Sequence, residues 1–164
     1  MKEILRMELG QRVSVRLQNY DYSGEGIIFI TICCQDRKHR FGKVRNEFMC
    51  LNSLGSIAFN VWMNLIKRFE GLELDTFQVM PNHIHGILIM THRNTTSLSK
   101  IIGAYKSEVF MKCLHLYKSH NKQMGKLWQR NYYEHIIRDH SDLVNCQAYI
   151  KNNPINWTND HLYS

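Results

Sequence analysis

"LELDTFQVMPNHIHGILIM", Leu72 to Met90, decides the fold. Leu72–Met80 alternates apolar and polar residues, the two-residue period of a half-buried strand. Pro81 and Asn82 supply tight-turn chemistry. "HIHGILIM" (83–90) then runs back as a second strand, ending in a nearly continuous apolar run that marks burial. On a strand, residues i and i+2 share a face. His83 and His85 therefore project together, and Ile84 points the other way. Two readings of the pair stand at this point: filler in a strand, or two imidazoles around one divalent cation. Nine histidines in this chain give an HxH by chance in roughly half of shuffled orders, so the spacing alone does not decide.

Working outward, "GIIFITICCQ" (26–35) is rich in β-branched residues and reads as a buried strand, followed by a basic loop, "DRKHRFGKVRNE" (36–47). Leu54, Ile57, Ala58, Val61, Leu65 and Ile66 recur at helical spacing and predict one helix from about Leu51 to Glu70, stopped by Gly71. Leu98, Ile101, Ile102, Tyr105, Val109 and Cys113 predict a second helix over Ser97–Tyr117. "LWQRNYYEHIIR" (127–138) is aromatic and β-branched and predicts a fourth strand. "HSDLVNCQAYIKNN" (140–153) predicts a last helix, N-capped by Ser141 or Asp142 and ended by Pro154. The order is β-α-β-β-α-β plus a terminal helix. Right-handed crossovers then give an α+β, ferredoxin-like βαββαβ fold with a four-stranded antiparallel sheet and a C-terminal helix that can carry catalytic groups. Residues 1–20 read as an arm and 21–164 as one domain.

The chain has 164 residues, 44% hydrophobic and 21% charged, enough for one domain with a real core. Its 21 Lys and Arg against 14 Asp and Glu leave +7. Such a balance favours a polyanionic partner. No run of eighteen apolar residues exists, so no membrane span is expected. The first twenty residues lack the apolar centre of a signal peptide. The five cysteines, Cys33, Cys34, Cys50, Cys113 and Cys146, lack CxxC spacing. They read as buried thiols of a cytoplasmic protein, not as a disulfide or thiolate-zinc framework.

The last helix offers what the histidines lack. Asn145, Tyr149 and Asn153 recur every four residues, beside the more apolar stripe Leu143, Cys146, Gln147 and Ile150. If that helix packs beside the pair, Asn153 gives an amide oxygen to a cation and Tyr149 presents a phenol. The alternative is a core tyrosine bonded to a backbone carbonyl.

Four blocks in this order, "VMPNHIHGILIM" (79–90), "IIGAYKS" (101–107), "LWQRNYYEHIIRD" (127–139) and "YIKNNPINW" (149–157), resemble the REP-associated tyrosine transposases, single-tyrosine HUH transposases of the insertion-sequence-200 type. The resemblance covers residues 20 to 157. It implies a metal-dependent single-stranded DNA endonuclease and strand transferase, cutting at hairpin-associated sites through a 5′-phosphotyrosine. Carried over by position, His83 and His85 are the HUH pair, Tyr149 the nucleophile and Asn153 the third ligand of Mg²⁺ or Mn²⁺. Two imidazoles suit Mn²⁺ better than Mg²⁺, and an Asn in the third position implies a weak, exchangeable site. The expected partner is single-stranded or hairpin DNA, with no membrane, no nucleotide cofactor, and a monomer favoured over a dimer.

Tyr132 and Tyr133 are rivals for the nucleophile, although adjacent strand residues face opposite ways and at most one can reach a cleft. His135 stays open between a partner of the site, a DNA contact and a buried histidine. Lys43, Arg45, Lys100, Lys106, Arg130 and Arg138 are candidate phosphate contacts, and Trp128 and Tyr132 candidate base-stacking residues. Two other functions compete. A histidine-triad nucleotide hydrolase needs further alternating histidines, where this chain has Gly86 and Leu88. A non-catalytic nucleic-acid-binding module on the same sheet fits the charge but leaves the histidines, Tyr149 and Asn153 without a role.

Overall fold

The structure is a computed structural model and describes residues 25–163. The arm expected over residues 1–20 lies outside them. Four strands form the main sheet: β1 (Gly26–Cys33), β4 (Leu72–Val79), β5 (His83–Met90) and β6 (Tyr133–Ile137), in the order β4-β5-β1-β6. All three pairings are antiparallel. This is the ferredoxin-like order. An unanticipated two-stranded ribbon, β2 (Gly42–Arg45) and β3 (Phe48–Leu51), lies between β1 and the first helix.

The alternation of β1 sorts the molecule into layers. Ile28, Ile30 and Ile32 face the main core with Ile84, Leu88 and Met90 of β5. Helices α1 (Ser53–Met63), α2 (Leu65–Arg68) and α3 (Leu98–Ser119) cover that side. The stripe Leu98, Ile101, Ile102, Tyr105, Val109 and Cys113 is buried as its spacing predicts. Gly86 is what lets Trp62 lie flat on the sheet, because a Cβ there would stand 2.3 Å from the indole. The opposite face carries α4 (His140–Asn152), over Phe29, Ile87, Ile137, Cys146 and Ile150. His83, His85, Thr31 and Tyr133 alternate onto that second face.

Several expectations need correction. The first helix is not continuous to Glu70. It breaks at Asn64, whose side-chain amide donates to the Asn60 carbonyl at 2.9 Å and competes with the helical ladder. Gly71 does end the segment, at φ 72°, where a Cβ would meet the Asn94 backbone nitrogen at 2.3 Å. The basic loop after β1 instead holds β2 and the turn into β3, made by Asn46 and Glu47 at positive φ. The fourth strand is Tyr133–Ile137 rather than 127–138. Residues 127–129 instead bond to the chain at the end of β1, through Gln35 N to Leu127 O and Gln129 N to Cys33 O. The Lys106 ammonium then takes the carbonyls of Gln129 and Arg130, which a strand ladder would have used. Helix α4 is capped by Asp139, not Ser141 or Asp142. Its carboxylate accepts from Asp142 N at 2.8 Å, because the chain leaves β6 extended at Asp139.

After Pro154 the chain folds back rather than trailing away. A short 3₁₀ turn at Trp157–Asn159 buries Trp157, and Leu162 is buried beyond it. Among the described residues no helix is long and apolar enough to cross a membrane, and all five cysteines are free thiols, only Cys50 being exposed.

Candidate active site

The β4–β5 turn delivers His83 as the first residue of β5, with His85 beside it and ring centroids 4.5 Å apart. Both are fully buried. Each has its Nδ1 held. The Asn82 side-chain oxygen lies 2.7 Å from His83 Nδ1. Asn82 Nδ2 is already committed to the Leu162 carbonyl, so His83 Nδ1–H is the donor. His85 Nδ1 is 2.8 Å from the Thr31 hydroxyl. The Nε2 atoms of both rings are buried without a hydrogen-bond partner. This is how a metal-ligating imidazole is prepared: one nitrogen fixed by a neighbour, the other turned inward. Burial also keeps both rings neutral. It holds His85 down at about 3, and pushes His83 well below the usual histidine range, helped by the neighbouring His85 charge.

Helix α4 lies against this pair in the same chain. Its first turn is fixed by the Asp139 cap, and Gln147 donates to the Asp75 carboxylate of β4 at 2.9 and 3.0 Å. The Tyr149 ring packs edge-on to His85 at 5.2 Å and to Phe29 at 6.1 Å. Its hydroxyl is buried with no hydrogen bond of proper geometry. Burial, reinforced by the Asp160 charge, pushes the phenol above its ordinary pKa, and the Asn153 amide works against that shift. Asn153 caps the end of α4 and is buried. Its Nδ2 donates to Asp160 Oδ2 at 2.6 Å, which leaves Oδ1 buried and unpartnered.

Four buried polar atoms are thus left over at one place: His83 Nε2, His85 Nε2, Tyr149 Oη and Asn153 Oδ1. Each orphan would cost of the order of 1–3 kcal/mol in a sealed protein, so together they call for a ligand. Asp160 adds a buried carboxylate, and its oxygen and the two imidazoles lie within 4.8 Å of one another. Two neutral imidazoles, an amide oxygen and a carboxylate fit a divalent cation.

Sequence reasoning missed Asp160, Thr31, Asn82 and Trp157. Trp157 leans on His83 at 5.9 Å between ring centroids. Thr31 reaches the site only through its register with His85. Asn82 was legible as a turn residue but not as the partner of the histidine that follows it. Asp160 follows the predicted helix in a stretch with no periodicity, and no sequence signal points to it.

The remaining candidates fall apart into separate jobs. Trp128 is buried against Phe41 and Tyr105, with its indole N–H on the Lys106 carbonyl, so it is not a base-stacking residue. Lys106 holds two loop carbonyls at 2.7 and 3.0 Å. Tyr132 packs against the main core, on the far side of the sheet from the histidines. Tyr133 faces the α4 side, where its ring packs edge-on to Phe29 at 6.4 Å. His135 bonds Asp142 at 2.8 Å and fastens β6 to the first turn of α4, with Cys146 alongside. Lys43, Arg45, Lys100, Arg130 and Arg138 are exposed.

Fold and site together define a ferredoxin-like α+β protein in which a histidine pair and a helix tyrosine meet on the α4 face of the sheet. The family model described as "Transposase IS200 like" matches residues 28–153, and the chain belongs to that family. Membership places it among the transposases as an enzyme class. It is 35% identical over 172 residues to an uncharacterised protein of Haemophilus influenzae, covering 93% of each. It is also 28% identical over 147 residues to a candidate REP-associated tyrosine transposase of the same organism, covering 85% of this chain and 77% of that one. Among solved structures, a REP-associated tyrosine transposase bound to a REP hairpin matches with a TM-score of 0.64 at 18% identity, over 87% of this chain and 74% of that one. A candidate transposase from Deinococcus radiodurans matches with a TM-score of 0.52 at 20% identity, over 84% and 95%. These two likenesses concern the fold.

Proposed function

We propose that this transposase cleaves and rejoins single-stranded DNA beside hairpins, with Tyr149 as nucleophile and a divalent cation at His83, His85 and Asn153. The observation that carries the reading is the convergence of four orphaned buried atoms from β5 and α4. Arg40, Trp62 and Glu134 also hold buried polar atoms without a partner among the described residues, so the weight lies on the convergence of donors from two elements, for which a purely DNA-binding module has no use.

A cation held there, with Asp160 as a further oxygen donor, supplies positive charge that polarises a phosphate. The protein's own groups do the rest. Thr31 and Asn82 hold the imidazoles with Nε2 inward. Asp160 turns the Asn153 amide so that its oxygen faces the site. Phe29 and His85 fix the phenol ring of Tyr149. Tyr149 Oη attacks the scissile phosphorus, a P–Oη bond forms and the P–O3′ bond breaks. The phenolic proton is lost and the departing 3′ oxygen gains one. The product is a 5′-phosphotyrosine and a free 3′-OH. Attack by a 3′-OH reverses the step, so bond energy is retained and no nucleotide cofactor enters. The phenol lies beside the pair of its own chain, which supports a monomer acting in cis. Mn²⁺ suits two imidazoles better than Mg²⁺. The likeness to a hairpin-bound relative supports a hairpin as the recognised DNA.

The test is a labelled hairpin oligonucleotide with unpaired flanks, incubated with Mn²⁺ and run in SDS. Wild type is expected to give a denaturation-resistant adduct and Tyr149→Phe none. An adduct retained by Tyr149→Phe would remove the phenol from the reaction.

A further inference from the structure

The β2–β3 ribbon has no part in the site just described, yet it is rooted on it. Arg40 N and Phe41 N both donate to the Pro81 carbonyl, at 2.8 and 3.0 Å, and Pro81 begins the turn that delivers His83. Asn52 closes the base, its backbone N–H on Phe41 O at 3.0 Å and its side chain on Arg40 O at 2.9 Å. From this root, four-residue strands span roughly 13 Å.

The ribbon's two faces differ. Val44 pairs with Met49, and Met49 packs against the main core. Lys43 pairs with Cys50 and Arg45 with Phe48, and all four side chains point to solvent. Phe48 is 74% exposed, more than any other large apolar side chain among the described residues. The ring stands in water at the outer end of a ribbon rooted beside the turn that delivers His83, open to a partner. The charge around it says which kind. Arg45 stands directly across from Phe48, and Lys43 lies two residues along the same strand, about 7 Å away. An apolar ring flanked by cations is the chemistry that takes a single nucleic-acid strand: the ring stacks on a base and the cations meet phosphates. A paired base has both faces covered by its neighbours, so the ring fits an unpaired one.

We propose that the outward face of the β2–β3 ribbon is a single-stranded DNA contact, in which Phe48 stacks on an unpaired base near the cleaved phosphate while Arg45 and Lys43 hold the flanking backbone. This rests on the DNA-cleavage reading above for its substrate, though not on the identity of the nucleophile or the metal.

The experiment places 2-aminopurine singly at each unpaired position flanking a DNA hairpin and follows its fluorescence on binding full-length protein. Wild type is expected to quench one position. Phe48→Ala should lose that quenching and bind roughly 5- to 150-fold more weakly, the stacking worth of one base. Phe48→Trp should restore both. Phe48→Ala should keep the wild-type thermal midpoint, since the ring is outside the core. Undiminished affinity and quenching in Phe48→Ala, with adduct formation intact in wild type, would overturn the ribbon contact and leave the cleavage reading standing. Phe48-dependent quenching without any adduct would do the reverse. An equal loss on a blunt duplex, or a change in oligomeric state instead of DNA affinity, would also overturn it.

Discussion

Thr31 Oγ1 lies 2.8 Å from His85 Nδ1, and the two residues are register partners across β1 and β5. The sheet ladder therefore decides which imidazole nitrogen remains for a ligand. Thr31→Val keeps the shape and removes the hydroxyl. Loss of such a partner typically weakens metal affinity about 10- to 100-fold. Calorimetric titration with Mn²⁺ should show that loss in a folded protein, and unchanged Mn²⁺ affinity would mean the hydroxyl does not orient the ligand.

The phenol of Tyr149 packs at 5.2 Å from the His85 ring within one chain. With Tyr149 as the proposed nucleophile, that placement predicts a reaction in cis. Mixing Tyr149→Phe with His83→Ala, each inactive alone, should give no adduct. Recovered adduct on mixing would show that the tyrosine works on a neighbour's histidines.

How much of this was legible in advance divides along physical lines. Strand alternation and helical spacing are local, and they yielded the element order and the shared face of His83 and His85. The meeting of that pair with Tyr149 depends on where α4 docks. Position in the sequence motif suggested it, but Gln147 on Asp75 and the Asp139 cap are what fix it. Thr31 and Asp160 were invisible because they act across sequence separations that no period records. Trp128 misled for the opposite reason: an aromatic in a basic stretch looks like a stacking residue until its indole N–H is found on Lys106 O.

Burial holds the His85 pKa at about 3 and that of His83 well below its ordinary value. The unfolded chain protonates both near pH 6.5, while the folded chain keeps them neutral until far lower. Between those values the unfolded state binds more protons, so stability is full above about pH 6.5 and falls as pH drops towards the folded pKa values. Each histidine contributes a slope of about 1.4 kcal/mol per pH unit. Denaturant midpoints measured between pH 7 and pH 4.5 should fall, and the fall should be shallower in His85→Gln. An identical slope in that variant would contradict the assignment.

A site of two imidazoles, an amide and one carboxylate should prefer Mn²⁺ to Mg²⁺. Adduct formation is expected at lower Mn²⁺ than Mg²⁺ concentrations, and to vanish both in EDTA and in His83→Ala. Full activity in EDTA would separate the histidines from any metal role.

Two basic residues with the same first reading should now behave differently. The Lys106 ammonium is partly buried and holds the carbonyls of Gln129 and Arg130 at 2.7 and 3.0 Å, and burial lowers its pKa. Charged hydrogen bonds of this kind contribute about 2 kcal/mol, so Lys106→Ala should lower the thermal midpoint and loosen the segment that leads into β6. Arg138 is exposed, and its backbone N–H donates to Asp142 at 3.3 Å. If its guanidinium meets a phosphate, Arg138→Ala should leave the thermal midpoint near wild type. It should also make the slope of log affinity against log salt shallower by about 0.7 to 0.9, the share of one released counterion. A salt slope changed by Lys106→Ala and untouched by Arg138→Ala would reverse the two roles.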